Sequence, residues 1–115
     1  VPSEVRALPG TLPIVVTTPH EFLEMDYYGL HGRVVWLSDV ARSMHYWGNA
    51  SDTNALLALS RWRPLAVEDY QTFVDRGQPF FVYGTGWVVK EMAANPGLQL
   101  EQVSPLCWRV SVTRR

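Results

Sequence analysis

The chain has 115 residues, of which 47% are hydrophobic and 18% are charged, and its formal net charge is −1. This length supports one hydrophobic core, and the composition is typical of a folded domain rather than a disordered segment. The near-zero charge argues against a nucleic-acid-binding protein, which normally presents a basic surface. The single cysteine, Cys107, excludes an internal disulfide and any cluster of cysteine metal ligands.

From the start of the sequence we expect this chain to be a piece of a longer protein. It begins at Val1 rather than at Met, and it contains neither a signal peptide nor a run of the ~18 apolar residues that cross a bilayer. Residues 1–12 include Pro2, Pro9 and Gly10 and show no periodicity, so we expect a linker or an extended lead-in. Residues 13–115 are predicted to form a single α/β domain.

Apolar runs and helical periodicity define the elements along the chain. A first strand over residues 14–18 precedes a helix that begins at Pro19, with Thr18 as its N-cap. A strand at 33–37, a weak helix at 40–46 and an Ala- and Leu-rich helix at 54–59 follow. The spacing of Val67, Tyr70 and Phe73 predicts one face of a further helix. The remaining predicted elements are a strand at 80–83, a helix at 87–95 and strands at 98–103 and 106–112.

Strands separated by helices are most simply parallel neighbours joined by right-handed crossovers. The order therefore predicts a three-layer, Rossmann-like fold with a mostly parallel sheet of about five strands. Because the turn before the last strand is too short for a crossover, we expect that strand to run antiparallel, at the edge of the sheet.

Polar residues follow three of the predicted strands. In open parallel sheets, ligands bind at the carboxyl ends of the strands, near the point where the strand order reverses. That rule selects a rim that also includes Thr17 and Ser38, and its candidate ligand-binding residues are Thr18, His20, Asp39, Tyr83, Gly84 and Thr85. Each has an ordinary structural role as well: Thr18 and Asp39 suit helix caps, and Gly84 suits a turn from strand to helix.

Known catalytic and cofactor motifs do not match. Gly84-Thr85-Gly86 has Val89 where a dinucleotide fingerprint needs its third glycine, and the chain contains no Gly-Lys-Ser or Gly-Lys-Thr. The spacing of His20, His31 and His45 does not favour a metal site, and no serine stands in a Gly-x-Ser-x-Gly turn. The sequence therefore predicts no catalytic residue, no metal and no cofactor.

Several segments together resemble a known family. They are Leu12 to Leu23, then Tyr27-Tyr28, then Arg33 to Asp39, and the later Leu65-x-x-Glu68-Asp69-Tyr70-x-x-Phe73 leading to Phe80-Phe81-Val82-Tyr83-Gly84. They are similar to the carboxy-terminal extramembrane domain of bacterial membrane glycosyltransferases of the dolichyl-phosphate-mannose mannosyltransferase-like superfamily. The resemblance covers about residues 12–103.

The resemblance implies a setting rather than a site. In that family the membrane-embedded portion transfers a sugar from a polyprenyl-phosphate donor, and none of that portion is present here, so no catalytic residue is carried over. It implies an accessory domain on the periplasmic, extracytoplasmic face of the inner membrane. Its partners would be the membrane portion of the same chain and a sugar acceptor or lipid-linked sugar head group.

Two alternatives remain open on the residues alone. The first is an independent domain that binds a small molecule or a nucleotide at the strand-end rim. The second is a free-standing hydrolase or transferase that uses His20 and Asp39.

Overall fold

A computed structural model describes residues 2–39, 51–62 and 64–113. Its centre is a six-stranded sheet with the strand order β3-β2-β1-β4-β6-β5. The strands are β1 (Ile14–Val16), β2 (Val34–Ser38), β3 (Val67–Asp69), β4 (Phe80–Tyr83), β5 (Leu98–Ser104) and β6 (Cys107–Val112). β1 pairs in parallel with β2 and β4, and β2 pairs in parallel with β3. β6 alone runs in the opposite direction, antiparallel to both β4 and β5.

Helices cover both faces of this sheet, as the sequence predicts. They are α1 (Ser3–Arg6), α2 (Pro19–Met25), α3 (Ser51–Leu59), α4 (Tyr70–Asp75) and α5 (Trp87–Ala94), and a wide turn over Asp26–Leu30 extends α2. On one face α4 and α5 bury Tyr70 and Trp87 in a cluster of apolar side chains that we call the Trp87 core. On the other face α1, α2 and α3 bury Val5, Phe22 and Leu56 in a second apolar cluster that we call the Phe22 core. Among the described helices, none combines the length and the apolar character needed to span a membrane.

The continuous apolar runs fold into strands that are buried on both faces. Successive side chains of a strand point to opposite faces, so neighbours in sequence enter different cores. Val15 and Val82 lie in the Trp87 core, whereas Val16 and Phe81 lie in the Phe22 core. This two-sided burial explains why β1 and β4 contain no alternation of polar and apolar residues.

The sheet has one strand more than the sequence predicts. Val67 does not begin a helix: Val67–Asp69 forms the short strand β3 beside β2, with Trp36 opposite Val67. The helix starts at Tyr70, where the Asp69 carboxylate accepts a hydrogen bond from the Thr72 backbone N–H at 3.0 Å. The N-cap at Asp69 therefore marks the boundary between β3 and α4. The periodicity alone predicted a helix on both sides of this boundary.

The last strand is antiparallel, as predicted, but its predicted place at the edge is wrong. β6 lies between β4 and β5, and β5 forms the edge. Burial explains the exchange, because β6 buries Cys107 and Val110 whereas the central residues of β5 are polar or partly exposed. The predicted helix at 40–46 and His45 lie outside the described residues.

The lead-in to the domain contains structure as well. α1 lies within residues 1–12, and Val5 and Leu8 are buried in the Phe22 core. The Arg33 side chain holds this segment in place, because it donates hydrogen bonds to the backbone carbonyls of Leu12 and Pro9.

Candidate functional site

The direction of strand order reverses between β1 and β4. From β1 the chain proceeds to β2 and β3 on one side, and it then returns to β4 on the other side. Such a reversal opens a crevice beyond the carboxyl ends of the two strands. Here those ends carry Thr17 and Thr18 after β1, and Tyr83 and Gly84 at the end of β4. We refer to these four residues as the strand-end crevice.

A shared carboxylate joins the two sides of this crevice. The Thr18 hydroxyl donates a 2.7 Å hydrogen bond to Glu21 Oε1, and the same carboxylate interacts electrostatically with the Tyr83 hydroxyl, whose pKa it raises. Thr18 occupies the N-cap position of α2, but its side chain bonds this carboxylate rather than a backbone N–H. The structure therefore brings the predicted residues Thr18 and Tyr83 together through Glu21.

The electrostatic environment of the crevice is acidic. Burial raises the pKa of the Tyr83 hydroxyl above its ordinary value of 10.0, and the carboxylates of Glu21 and Glu4 raise it further. Burial likewise raises the pKa of the Cys107 thiol, with a further contribution from Glu4. Both groups are consequently neutral at pH 7, and the two carboxylates disfavour an anionic ligand beside them.

Thr17 and Gly84 meet at the floor of the crevice. Gly84 has a φ of +110°, and a Cβ atom at this position would lie 2.0 Å from Thr17 Oγ1, so only glycine fits. Thr17 is 4% exposed, and its hydroxyl has no hydrogen-bond partner among the described residues. A buried hydroxyl without a partner costs free energy, which is the kind of feature that functional sites retain.

Beyond Gly84 the chain turns into α5. Gly86 holds the N-cap position with a φ of +102° and supplies no capping side chain, and Thr85 is exposed. The first backbone N–H groups of α5 therefore lie close in sequence to the floor of the crevice. Thr85 and Gly84 are thus both at this end of the sheet, as the sequence predicts.

The His20 side chain is exposed to solvent beside Glu24. It is 87% exposed, and its Nε2 atom is 3.6 Å from a carboxylate oxygen of Glu24, one turn further along α2. Asp39 is half-buried directly after β2, which is the neighbour of β1 on the side away from β4. Residues 40–50, which follow Asp39 in sequence, lie outside the described part of the chain.

The remaining histidine in the described ranges pairs with a buried acid. His31 Nδ1 lies 2.7 Å from Asp26 Oδ1, and Asp26 is only 2% exposed. Across the described residues, no group of three histidine, cysteine or carboxylate side chains is placed to hold a metal ion.

Sequence reasoning missed Glu4 and the groove beside it. This groove, of about 620 Å³, lies between α1 and the β5–β6 hairpin, and its lining residues include Leu8, Phe81, Val103 and Arg109. Glu4 accepts a hydrogen bond from the Ser104 hydroxyl across a sequence separation of 100 residues. No local pattern reveals such a contact, and none of the predicted site residues lines the groove.

Comparisons with known proteins give no relative. No family model matches the chain, and neither the curated proteins nor the solved structures contain a match. The crevice must therefore be interpreted from its own chemistry.

Proposed function

We propose that this chain is an accessory domain, without catalysis of its own, of a membrane glycosyltransferase that uses a polyprenyl-phosphate sugar. In this proposal the domain has a Rossmann-like fold and lies on the periplasmic face of a bacterial inner membrane. The resemblance of residues 12–103 to the carboxy-terminal domain of that enzyme family motivates the proposal. The observation that supports it best is the hydrogen bonding and the protonation of the polar side chains at the strand-end crevice.

Those groups suit binding better than turnover. Glu21 already accepts a hydrogen bond from Thr18 and interacts with the Tyr83 hydroxyl, so its carboxylate is engaged rather than free to act as a general base. The Tyr83 hydroxyl and the Cys107 thiol both have raised pKa values, and the neutral forms of these groups are poor nucleophiles. A domain that positions a ligand for chemistry performed elsewhere agrees with this arrangement.

The same groups favour a hydroxyl-rich ligand over a phosphate. Carboxylates accept hydrogen bonds from sugar hydroxyls, whereas Glu4 and Glu21 would repel the negative charge of a phosphoryl group. We therefore propose that the domain contacts the sugar acceptor, or the sugar part of the lipid-linked donor. The membrane portion of the same chain would be its constant partner.

The test begins with the reading frame that encodes this chain. The proposal expects about eight or more apolar segments upstream of Val1; a frame that opens close to Val1 contradicts it. Membranes that contain the full-length protein should transfer sugar from a polyprenyl-phosphate donor, whereas the isolated chain should not. In the full-length protein, Glu21→Gln should raise the KM for the acceptor more than it lowers kcat, and the exposed Glu24→Gln provides the matched control on the same helix.

A second candidate is an independent domain that binds a small molecule or a nucleotide in the same crevice. The observation that favours it is the hydroxyl of Thr17, which is buried without a described partner beside Gly84, where the strand order reverses. A thermal-shift screen of nucleosides, nucleotides and sugars tests it. A ligand at ~100 times its Kd adds about 2.7 kcal/mol to the free energy of unfolding. Flat melting curves across all three ligand classes would contradict this candidate.

A further inference from the structure

β5 ends the described sheet as a long, open strand. It has seven residues and pairs with β6 on one side, and no described strand lies on its other side. The opposite edge of the sheet, β3, has three residues. An open edge presents unpaired backbone N–H and C=O groups to any strand of suitable shape.

The hydrogen-bond pattern identifies which groups face outward. The Thr113 N–H donates to the Gly97 carbonyl at 2.9 Å, in register with the β5–β6 ladder. Residues along an antiparallel pair alternate between those that bond the partner strand and those that face away from it. Gln99 and Glu101 therefore bond β6, whereas Leu100 and Gln102 direct their N–H and C=O groups to the open edge. Leu98 offers its carbonyl there, because its N–H donates to Asn95.

This edge has few of the features by which proteins block strand addition. Lysine, proline and bulges are the usual protections of an exposed edge. β5 contains neither lysine nor proline, and its one irregularity lies between Gln102 and Ser104. The stretch from Leu98 to Gln102 is regular, with Leu100 at its midpoint.

We infer that β5 is a self-association surface, at which a second copy of this chain adds its own β5 in antiparallel orientation about a two-fold axis at Leu100. In this register Leu100 faces Leu100 of the second copy, and Gln102 faces Leu98. The outward groups then form four hydrogen bonds: two between the Leu100 residues, and two from Gln102 N–H groups to Leu98 carbonyls. The two sheets join into one sheet of twelve strands.

Side-chain charges are compatible with this register. Glu101 lies directly opposite Arg109 of β6, and Gln99 lies opposite Ser111. Pairing about Leu100 places Glu101 of one copy opposite Gln99 of the other, so each carboxylate is flanked by an arginine and an amide. No two like charges stand directly opposite each other, an arrangement that would be destabilising.

The expected affinity is low. Only five residues of each strand take part in the contact. We therefore expect it to bury less accessible surface than the roughly 1,200 Å² that stable interfaces bury. We therefore expect a dissociation constant in the range of tens to hundreds of micromolar. Sedimentation equilibrium of this chain from about 10 µM to 1 mM should show a monomer–dimer equilibrium. A chain that remains monomeric at 1 mM overturns the inference.

Gln102→Pro is the decisive variant, because it removes an outward N–H and places a ring where the second strand must approach. Proline is tolerated at an edge position whose N–H faces solvent, so the fold should survive. Gln102→Ala is the matched control: it loses the same side-chain bond to the Pro105 carbonyl but keeps the backbone N–H. We expect at least a tenfold weaker dimer for Gln102→Pro and little change for Gln102→Ala. Equal association of the two variants rules out pairing through this edge.

Gln99 provides a second test that does not depend on proline. In the dimer, residue 99 of each copy faces Glu101 of the other, so this pair occurs twice. Gln99→Glu makes both pairs carboxylate–carboxylate, whereas Gln99→Lys makes both pairs opposite in charge. We expect association about fivefold weaker for the first and about fivefold stronger for the second, with both effects reduced by salt. Changes of the same sign in both variants would exclude the register centred on Leu100.

Discussion

The centre of the sheet and its hairpin edge bury their strands to different extents. Every residue of β1 and β4 is buried, because helices cover both faces there. In β5 only Leu98 is buried, and in β6 only Cys107 and Val110 are. A strand packed on both faces tolerates little change of volume or backbone conformation, whereas a half-exposed strand can repack or relax toward solvent. The candidate crevice lies at the constrained centre, and the open edge lies at the tolerant end.

Truncation of a large side chain should show the greatest contrast. Phe80 in β4 is 1% exposed and packs edge-to-face against Phe73 at a centroid distance of 4.9 Å. Phe80→Ala should lower the free energy of unfolding by about 3–5 kcal/mol, through lost burial and an unfilled cavity. Urea unfolding followed by tryptophan fluorescence measures this change.

The hairpin supplies the control for that truncation. Leu106 lies in the β5–β6 turn and is 39% exposed. Leu106→Ala should cost only about 1 kcal/mol, because a side chain that stays 39% exposed leaves no enclosed cavity when it is truncated. Similar losses for the two variants would remove the distinction between centre and edge.

A backbone test at the crevice should have the next largest effect. Gly84→Ala adds a Cβ atom 2.0 Å from Thr17 Oγ1 at a φ of +110°. Left-handed strain and steric overlap should together lower the free energy of unfolding by about 2–4 kcal/mol. Gly10 also has a positive φ but nothing within 4 Å, so Gly10→Ala should cost about 1 kcal/mol through strain alone.

Relief by a second change isolates the overlap. In the Gly84→Ala background, Thr17→Ala removes the clashing oxygen and should restore part of the lost stability. Additive losses in the double variant would place the whole effect in the backbone of Gly84, and the Thr17 contact would then have no energetic part.

Much of the central architecture could be predicted from sequence, because continuous apolar runs between helices have few other interpretations. The strand at Phe80–Tyr83 is confirmed with its predicted bounds, and the first strand, predicted over residues 14–18, is confirmed over Ile14–Val16. The prediction that Val67 belongs to a helix was wrong, because its spacing of three residues from Tyr70 is also the spacing of one helical face. A three-residue strand is too short to show the alternation that would have indicated a strand. For the hairpin, the polar residues Gln99 and Glu101 were a usable signal that β5, and not β6, takes the edge.

Part of the candidate site could be predicted and part could not. The rule that ligands collect at strand ends identified Thr18, Tyr83 and Gly84, because parallel pairing aligns the ends of neighbouring strands. The electrostatic interaction between Glu21 and Tyr83 depends on the register of β1 and β4, in which Val16 is opposite Tyr83. Register is set by packing across the whole sheet, so no local pattern reveals which carboxylate reaches which hydroxyl.

Alkaline pH should weaken the centre of the sheet through its two buried acids. The pKa values of Tyr83 and Cys107 are raised in the folded protein, so the unfolded chain loses these protons first. Their contribution to stability is complete below about pH 9 and is lost as pH rises through the ordinary Cys and Tyr values toward the folded ones. Urea unfolding from pH 7 to pH 11 should show this decline.

Two substitutions assign the alkaline decline. Tyr83→Phe should remove the part above about pH 10, and Cys107→Ala should remove the part that begins near pH 9. Tyr27→Phe is the control, because that ring is 68% exposed. A decline that is unchanged in Tyr83→Phe would assign the upper part to other groups.

The smallest expected effect concerns the hydroxyl of Thr17, and its sign carries the information. Thr17→Val replaces a buried hydroxyl that has no described partner with a methyl group, which should raise the free energy of unfolding by about 1 kcal/mol. Thr85→Val, at an exposed position beside the same crevice, should stay within about 0.5 kcal/mol of the parent chain. A loss of stability in Thr17→Val would mean that the hydroxyl is satisfied in solution. If Thr17→Val is instead more stable and no longer gains stability from a ligand that protects the parent chain, the hydroxyl is retained for binding at the expense of stability.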